Sequence, residues 1–432
     1  MATYITNPST QVRIPGEYFL SNVSLKTPLR DGSLTINELV ITIELYESLF
    51  KGVLSGNLLM RDTTNLLSSY PICGYETLML SFHCDNGLEK SDFDLTFRVY
   101  SVKNVIDGAN DGKTYTLEFI SPEYISNMEM IVDKSFTNMT SSSIAEKIWG
   151  ESLGLMGKSL KIEESRGLMS IVSPFWHPIK AMDWLASRSL SSDRMGANYV
   201  FFETLDGFNF VSIESLVSNI NDEEVTSYIY GPKDISLEGF PNLTDPTVIS
   251  SVQIDSSFDL IQNLSLGMYS SNLISHDIIK RTVKRYNFDY KKTFDSYEHL
   301  EDWSFLHDDV ESFKEVYDSK RFLVPQHYQL FGDDVVGNSS LRERVLQLRV
   351  SQLQQINTYK MTIKIAGDIT TRAGDVVYIH YPSKGGVDRE DRLMSGKYLV
   401  LNVKNSLEMT RHETVLEVAK DSYFREIPSK GV

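Results

Sequence analysis

Alternation of apolar and polar residues predicts short β-strands throughout the first 120 residues. Ile41, Ile43 and Leu45 alternate with polar neighbours, which is the period of a half-buried strand. Further strand candidates are Gly52–Met60, Thr77–His83, Phe93–Val105 and Lys113–Ile120. Several short antiparallel strands in so short a stretch indicate a β-barrel or sandwich, because both arrangements close or cover the sheet edges. We therefore assign residues 1–121 to an N-terminal β-barrel module.

The pattern changes to helical spacing after Pro122. Apolar residues recur every three or four positions in two stretches, which predicts helices near 141–153 and 178–190. Ser143 and Glu146 have the spacing of a capping box for the first helix. The strand-forming residues of Tyr199–Val211, interrupted by Asp206-Gly207, predict a hairpin. Residues 122–225 are thus predicted to form an α+β domain.

The rest of the chain returns to strands after a less regular stretch. Residues 226–340 combine proline-containing turns, strand-rich segments and a run of charges and aromatics, so we predict a connecting region with a partly irregular insertion. A helix is predicted at Leu341–Gln355, followed by short β-branched strands separated by Gly-Asp turns. We assign 341–420 to a second β-barrel module and 421–432 to a C-terminal tail. The fold class is mixed, mainly β with α+β.

Size and charge limit the classes of function. A chain of 432 residues exceeds the size of one hydrophobic core, and 41% hydrophobic residues supply each domain with its own core. The net charge of −16 disfavours nucleic-acid binding, because an acidic surface does not attract a phosphate backbone. No apolar run approaches the roughly 18 to 20 residues of a membrane span, so membrane insertion is not expected. Cys73 and Cys84 are expected to be free thiols.

Candidate catalytic and metal sites are weak. The acidic and histidine residues from His299 to Glu311 have no defined metal spacing, and a solvated charge run is the more common structure. Glu163 and Glu164 are adjacent, so in a strand they would point apart and make poor acid/base partners. His177 is expected to be a packed or hydrogen-bonded loop residue. We predict no catalytic residue, no cofactor and no metal, and the protein is not expected to be an enzyme.

Two segments carry a resemblance to a known family. The first contains a proline-rich aromatic loop and a helix with a Trp-Leu-Ala-x-Arg ending, followed by the aromatic hairpin; its motif residues are Pro174, Trp176, Pro178, Trp184 and Arg188. The second contains two Gly-Asp turns and a Gly-x-Tyr strand start; its motif residues are Gly367, Asp368, Gly374, Asp375, Gly396 and Tyr398. In this order they resemble the central baseplate hub protein of contractile-tailed bacteriophages and the related hub part of type VI secretion spike proteins.

The resemblance implies a structural role in a phage tail. Both barrel modules would be tube-like, and a homotrimeric ring would adapt the sixfold tail tube to the threefold spike. Its partners would be the spike protein, the tail tube protein and other baseplate proteins, with phage DNA passing through the ring without specific binding. The implied location is the tail baseplate of the virion, after assembly in the host cytoplasm. A tail-associated cell-wall hydrolase or carbohydrate-binding protein is the alternative.

Overall fold

A mainly β fold accompanied by one α+β region is present, as the sequence predicts. The computed structural model describes residues 16, 18–28, 31–70, 72–85, 90–108, 112–218, 225–231, 247–278, 281–306, 319–326, 339–383, 390–408 and 411–424. The following paragraphs concern those residues. Most of the predicted tail and part of the predicted insertion, including residues 331–338, lie outside them.

Seven antiparallel strands and a short helix form the N-terminal module. They are β1 (Tyr18–Lys26), β2 (Leu34–Thr35), β3 (Val40–Ser48), β4 (Ser55–Asp62), α1 (Leu66–Ser69), β5 (Thr77–Asp85), β6 (Lys90–Asp107) and β7 (Lys113–Ile120). The strand order is β2-β1-β5-β6-β7-β4-β3. Inward residues such as Leu58, Phe97 and Leu117 share one buried core, because alternate positions of each strand face the same side. No backbone pairing between described strands closes this sheet into a ring.

The middle of the chain forms the α+β region. Its elements are α2 (Pro122–Glu129), β8 (Ser135–Thr140), α3 (Ser141–Glu151), β9 (Leu160–Ile162), β10 (Leu168–Val172), α4 (Pro178–Ala186), β11 (Tyr199–Thr204), β12 (Gly207–Ser212) and α5 (Ile213–Ser218). The N-cap of α3 is Thr140, whose side chain accepts a hydrogen bond from the Ser143 amide, so the predicted Ser143–Glu146 capping box is wrong. Thr140 is the N-cap because it has the extended backbone conformation that a cap residue requires. The second predicted helix ends at Ala186 rather than at 190.

The remaining elements form a barrel and a small sheet beside it. They are β13 (Thr226–Tyr230), β14 (Val248–Ser257), α6 (Leu260–Leu266), β15 (Ser270–Asp277), β16 (Thr282–Asp289), α7 (Tyr290–Thr293), β17 (Trp303–Ser304), β18 (Arg321–Gln326), α8 (Ser339–Thr358), β19 (Tyr359–Ala366), β20 (Val376–His380), β21 (Gly396–Glu408), β22 (Arg411–Lys420) and β23 (Ser422–Tyr423). The order β21-β20-β13-β14-β19-β22 closes because β22 also pairs with β21. Two of the six barrel strands, β13 and β14, thus come from residues 226–340, the predicted strand-rich connecting region.

The barrel and the N-terminal module have the same strand order. When six strands of each module are numbered 1 to 6 in chain order, their order across the sheet is 1-4-5-6-3-2 in both. In the N-terminal module the six strands are β1, β3, β4, β5, β6 and β7. The first strand differs in direction, since β1 runs antiparallel to β5 whereas β13 runs parallel to β20. The two modules join where β3 pairs with β21, between Thr42–Ser48 and Asn402–Glu408. One sheet therefore continues from the first module into the second.

Candidate functional site

The first Gly-Asp turn follows β19, where the chain passes close to β22. The Gly367 amide donates a hydrogen bond to the His412 carbonyl at 3.0 Å. A side chain at position 367 would overlap the imidazole ring of His412, which is buried. Glycine is required at this position because the two segments approach so closely.

Asp368 holds the turn together from inside. Its carboxylate accepts hydrogen bonds from the Thr370 amide at 2.9 Å, the Tyr228 hydroxyl at 2.9 Å and the Thr371 hydroxyl at 3.0 Å. Burial opposes ionisation of this carboxyl group, but the hydrogen bonds outweigh it and lower the pKa of Asp368. Because Tyr228 belongs to β13, the turn also fixes the strand that closes the barrel.

The barrel residues between the two Gly-Asp turns contact both the N-terminal module and the α+β region. Glu47, at the end of β3, accepts hydrogen bonds from the Leu205 amide of the α+β hairpin at 3.3 Å and from the Ala373 amide at 3.2 Å. Its side chain is buried, and burial raises the pKa of Glu47 to about 7 against the opposing attraction of Arg372. One carboxyl group thus bridges the N-terminal module, the hairpin and the barrel.

A second set of contacts surrounds that carboxyl group. Arg372 donates from Nε to the Asp206 carboxylate at 2.9 Å, so the hairpin turn is tied to the barrel by an ion pair. Gly374 has φ +95°, and a side chain there would press against Phe202 of β11. Beneath these contacts lies one continuous cluster of buried apolar residues. Its members come from the N-terminal module, the α+β region and the barrel, and include Leu49, Phe202 and Leu401. We name this region, from Glu47 through Asp206 to Arg372 and Gly374, the three-part junction.

Gly396 and Tyr398 lie at the start of β21, away from the two turns along the strand. Gly396 has φ +125°, a conformation that favours glycine. Tyr398 is fully buried and donates from its hydroxyl to the Met394 carbonyl at 2.7 Å. The Lys420 ammonium lies 5.0 Å from the Tyr398 ring, and burial lowers the pKa of Lys420 to about 7. These two motif residues therefore organise the barrel interior rather than the junction.

The aromatic loop and its helix form a separate surface. Pro178 is the first residue of α4, and the side chain of Asn127 in α2 accepts a hydrogen bond from the Ile179 amide at 2.8 Å. The His177 ring nitrogen Nδ1 lies within hydrogen-bonding distance of the Asn127 and Met130 carbonyls. This confirms the prediction that His177 is a hydrogen-bonded loop residue.

The other motif residues of this segment stack on one another. The rings of Trp176 and Trp184 lie 5.4 Å apart, and the Arg188 guanidinium lies 4.0 Å from the Trp184 ring. Pro174 and Phe175 are exposed beside this stack, and Phe175 has φ +56°. The helix motif thus builds a cation–π stack on the protein surface.

The structure brings four of the predicted site residues together and leaves the others apart. The stretch that follows β19 and reaches the three-part junction contains Gly367, Asp368, Gly374 and Asp375. Sequence reasoning missed Glu47, which is one of the two acidic residues in its strand. The signal that could have found it is its phase in the strand, since it shares the inward period of β3 with Ile43 and Leu45, and all three are buried.

The candidate catalytic and metal residues are engaged in structural contacts. Glu163 accepts hydrogen bonds from the Ser212 amide at 2.6 Å and hydroxyl at 3.1 Å. Both ring nitrogens of His299 are hydrogen-bonded, to Asp421 at 2.8 Å and to the Phe294 carbonyl at 3.0 Å. The acidic run from His307 to Glu311 lies outside the described residues. Cys73 is exposed and Cys84 is buried, and no disulfide bond joins them.

Comparisons with known proteins agree with the resemblance found in the motifs. The chain is 19% identical over 397 residues to the probable baseplate hub protein gp334 of Vibrio phage KVP40, covering 91% of this chain and 92% of that one. No family model matches the chain.

Two solved structures share the fold over nearly their whole length. The tail protein from Neisseria meningitidis MC58 has a TM-score of 0.55 and 10% identity, covering 94% of this chain and 97% of that one. The 43 kDa tail protein of prophage MuSo2 from Shewanella oneidensis has a TM-score of 0.50 and 12% identity, covering 93% of this chain and 98% of that one.

The predicted resemblance to baseplate hub proteins is confirmed, and so is the location in a virion tail baseplate. No described helix is long and apolar enough to cross a membrane.

Proposed function

We propose that this chain is the hub of a phage baseplate and forms a homotrimeric ring between the tail tube and the spike. Each chain contributes two modules with the same strand order, the N-terminal module and the barrel. Three chains then present six similar modules to a sixfold tube while keeping threefold symmetry toward a spike. The repeated strand order, with the modules side by side through β3 and β21, carries this proposal.

The three-part junction supports a rigid arrangement of the two modules. Glu47 and Arg372 connect both modules to the α+β region, and the apolar cluster beneath them is buried. A closing ring requires a fixed angle between successive modules, because a variable angle would also permit open chains. In this proposal the α+β region is the brace that sets the angle.

Charge supports passage of DNA without binding. Three chains would carry −48, three times the −16 of one chain. In the proposed hub the channel lining is net negative, so it repels a phosphate backbone weakly, and salt screens this repulsion beyond about 8 Å at physiological ionic strength. Other baseplate proteins would bind the outer surface.

The alternative of a cell-wall hydrolase or sugar-binding protein has less support. Four of the aromatic residues that would make a sugar platform are buried core residues: Phe201, Phe202, Phe208 and Phe210. Both carboxylate oxygens of Glu163 accept hydrogen bonds from Ser212, a structural contact within the α+β region. We therefore propose a structural role without enzymatic activity.

The mass of the chain in solution tests the proposal. Sedimentation of the purified chain, alone and with the spike protein encoded by the same phage, is expected to show a trimer. A monomer that persists at high concentration with the spike protein present would refute the ring. Turnover of purified cell wall by the folded chain would favour the hydrolase instead.

A further inference from the structure

A short sequence repeat relates one strand of each module, and the pairing of the two strands matches as far as Lys103 and Lys404. Val99–Asp107 of β6 reads VYSVKNVID, and Val400–Glu408 of β21 reads VLNVKNSLE. Both strands carry a bulge at the second position of the repeat: the pairing of β6 with β7 shifts between Val99 and Ser101, and that of β21 with β22 shifts between Val400 and Asn402. The strands β6 and β21 are thus equivalent in structure as well as in order.

The edge of β21 opposite β22 is paired along its length with other strands of the same chain. Its first residues pair with β20, and the edge then continues with β3, from Asn402 to Glu408. The Lys404 ammonium lies 2.6 Å from the Glu44 carboxylate of β3, and Leu407 is fully buried. This edge is where the two modules of one chain join.

The equivalent edge of β6 is exposed. The pairing with β5 ends at Arg98, and no described strand continues it along Ser101–Asp107. Val105 is 51% and Ile106 64% exposed there. Exposed apolar residues on an unpaired strand edge are a template for pairing with another chain.

The counterpart of β3 is also exposed. In the barrel, the strand equivalent to β3 is β14, and both have a bulge one residue after their first pair, at Ile41 and Ser250. One edge of β14 pairs with β19, but on the other edge β13 reaches only Val248 and Ile249. No described strand pairs with that edge from 250 to 257, and Ile254 is 48% exposed.

We propose that β14 of a second copy of this chain pairs antiparallel with the free edge of β6, as β3 pairs with β21 inside one chain. The inference rests on the proposed ring and adds which strands join its subunits. When the one extra residue of each strand, Asn104 in β6 and Asp255 in β14, is counted as an insertion, transferring the register of β3 and β21 places Lys103 opposite Ser256 of the partner subunit and Val105 opposite Ile254 of the partner subunit. Two exposed apolar side chains then cover each other.

One detail of the strands fits this register independently. Compared with its counterpart, each strand has one inserted residue: Asn104, with φ +54°, in β6, and Asp255 in β14. The register places these two insertions opposite each other, so the pairing continues in step on both sides of them. Joining copies through two different edges is a head-to-tail contact, which generates a ring when the rotation closes.

Disulfide trapping tests the register in the full chain. In a Cys73→Ser background, Val105→Cys with Ile254→Cys is expected to link successive copies, because directly opposite residues bring their Cβ atoms within about 5 Å. The matched control is Val105→Cys with Gln253→Cys, since neighbouring positions point to opposite faces of a strand. A ladder of linked chains on a non-reducing gel in the first variant, and little in the control, is the expected result.

A charge pair provides a second measurement. Val105→Glu alone should weaken association at least about tenfold by sedimentation, and adding Ile254→Lys should restore it, because opposite charges replace the apolar pair. The unfolding temperature of the monomer should not change, since both side chains are exposed in one chain. A wild-type trimer with no trapping above the control, or no effect of Val105→Glu, would overturn the strand pairing and leave the proposed ring intact. A persistent wild-type monomer that also does not trap would overturn both.

Discussion

The buried carboxyl group of Glu47 makes the stability of the fold depend on pH. Burial raises the pKa of Glu47 from 4.5 to about 7, which at about 1.4 kcal/mol per pH unit amounts to about 3 kcal/mol. Because the folded-state pKa is above the unfolded-state value, proton binding favours the folded chain. This contribution is fully present below about pH 4.5 and is lost as the pH rises through about 7.

The variant Glu47→Gln removes this dependence. Glutamine keeps the shape and the acceptor for the Ala373 amide and never becomes charged, while its NH2 group cannot accept from the Leu205 amide, a loss that does not depend on pH. Relative to the wild type, its free energy of unfolding is expected to rise by about 3 kcal/mol between pH 4.5 and pH 8. At pH 4.5 the wild type is largely protonated, so the difference between the two proteins there reflects the lost hydrogen bond from the Leu205 amide, roughly 1 to 3 kcal/mol, rather than charge.

Urea unfolding followed by tryptophan fluorescence at several pH values measures the difference. Glu44→Gln, three residues earlier in the same strand, is the matched control. Burial opposes ionisation of Glu44, but the hydrogen bonds from Lys404 and Tyr46 outweigh it and lower its pKa, so its stabilisation is lost as the pH falls. The two variants should therefore show opposite pH trends. An unchanged difference between Glu47→Gln and wild type from pH 4.5 to pH 8 would refute the account of Glu47.

Three further predictions concern packing, chemistry and charge. Gly367→Ala should destabilise the fold by about 1 to 3 kcal/mol in thermal melts, because the new methyl group overlaps His412, whereas Gly150→Ala, in open space on α3, should be neutral or stabilising. Glu164→Ala should leave phage infectivity unchanged, because no cell-wall degradation is expected of the wild type. If the wild type does degrade cell wall and this folded variant selectively loses that activity, the hydrolase would be supported. The trimer should not retain double-stranded DNA at low salt, and a channel map dominated by Lys and Arg would contradict the acidic lining.

Local patterns determined the types of most elements. Alternation in residues 40–62 and 113–120 predicts strands that the structure contains, because side chains on a strand alternate between core and solvent. Pro178 predicts the start of α4, because its fixed φ suits the first helical position. The motifs around Trp176 and Asp368 were enough to indicate the baseplate hub resemblance. The domain boundaries drawn from these patterns stay predictions.

Only the tertiary structure decided how the elements combine. The barrel closes through β13 and β14, whose partners lie more than 100 residues later in the chain, and local spacing contains no signal for such pairings. The cap of α3 depends on the backbone conformation of Thr140, since Ser143 satisfies the same sequence rule. Alternation along β3 places Glu47 on the same face as the buried Ile43 and Leu45, but its hydrogen-bond partners, the Leu205 and Ala373 amides, come from the hairpin and the barrel. Hydrogen bonds from segments so distant in the chain are a property of the assembled fold, so a window of sequence around Glu47 indicates its burial but not its partners.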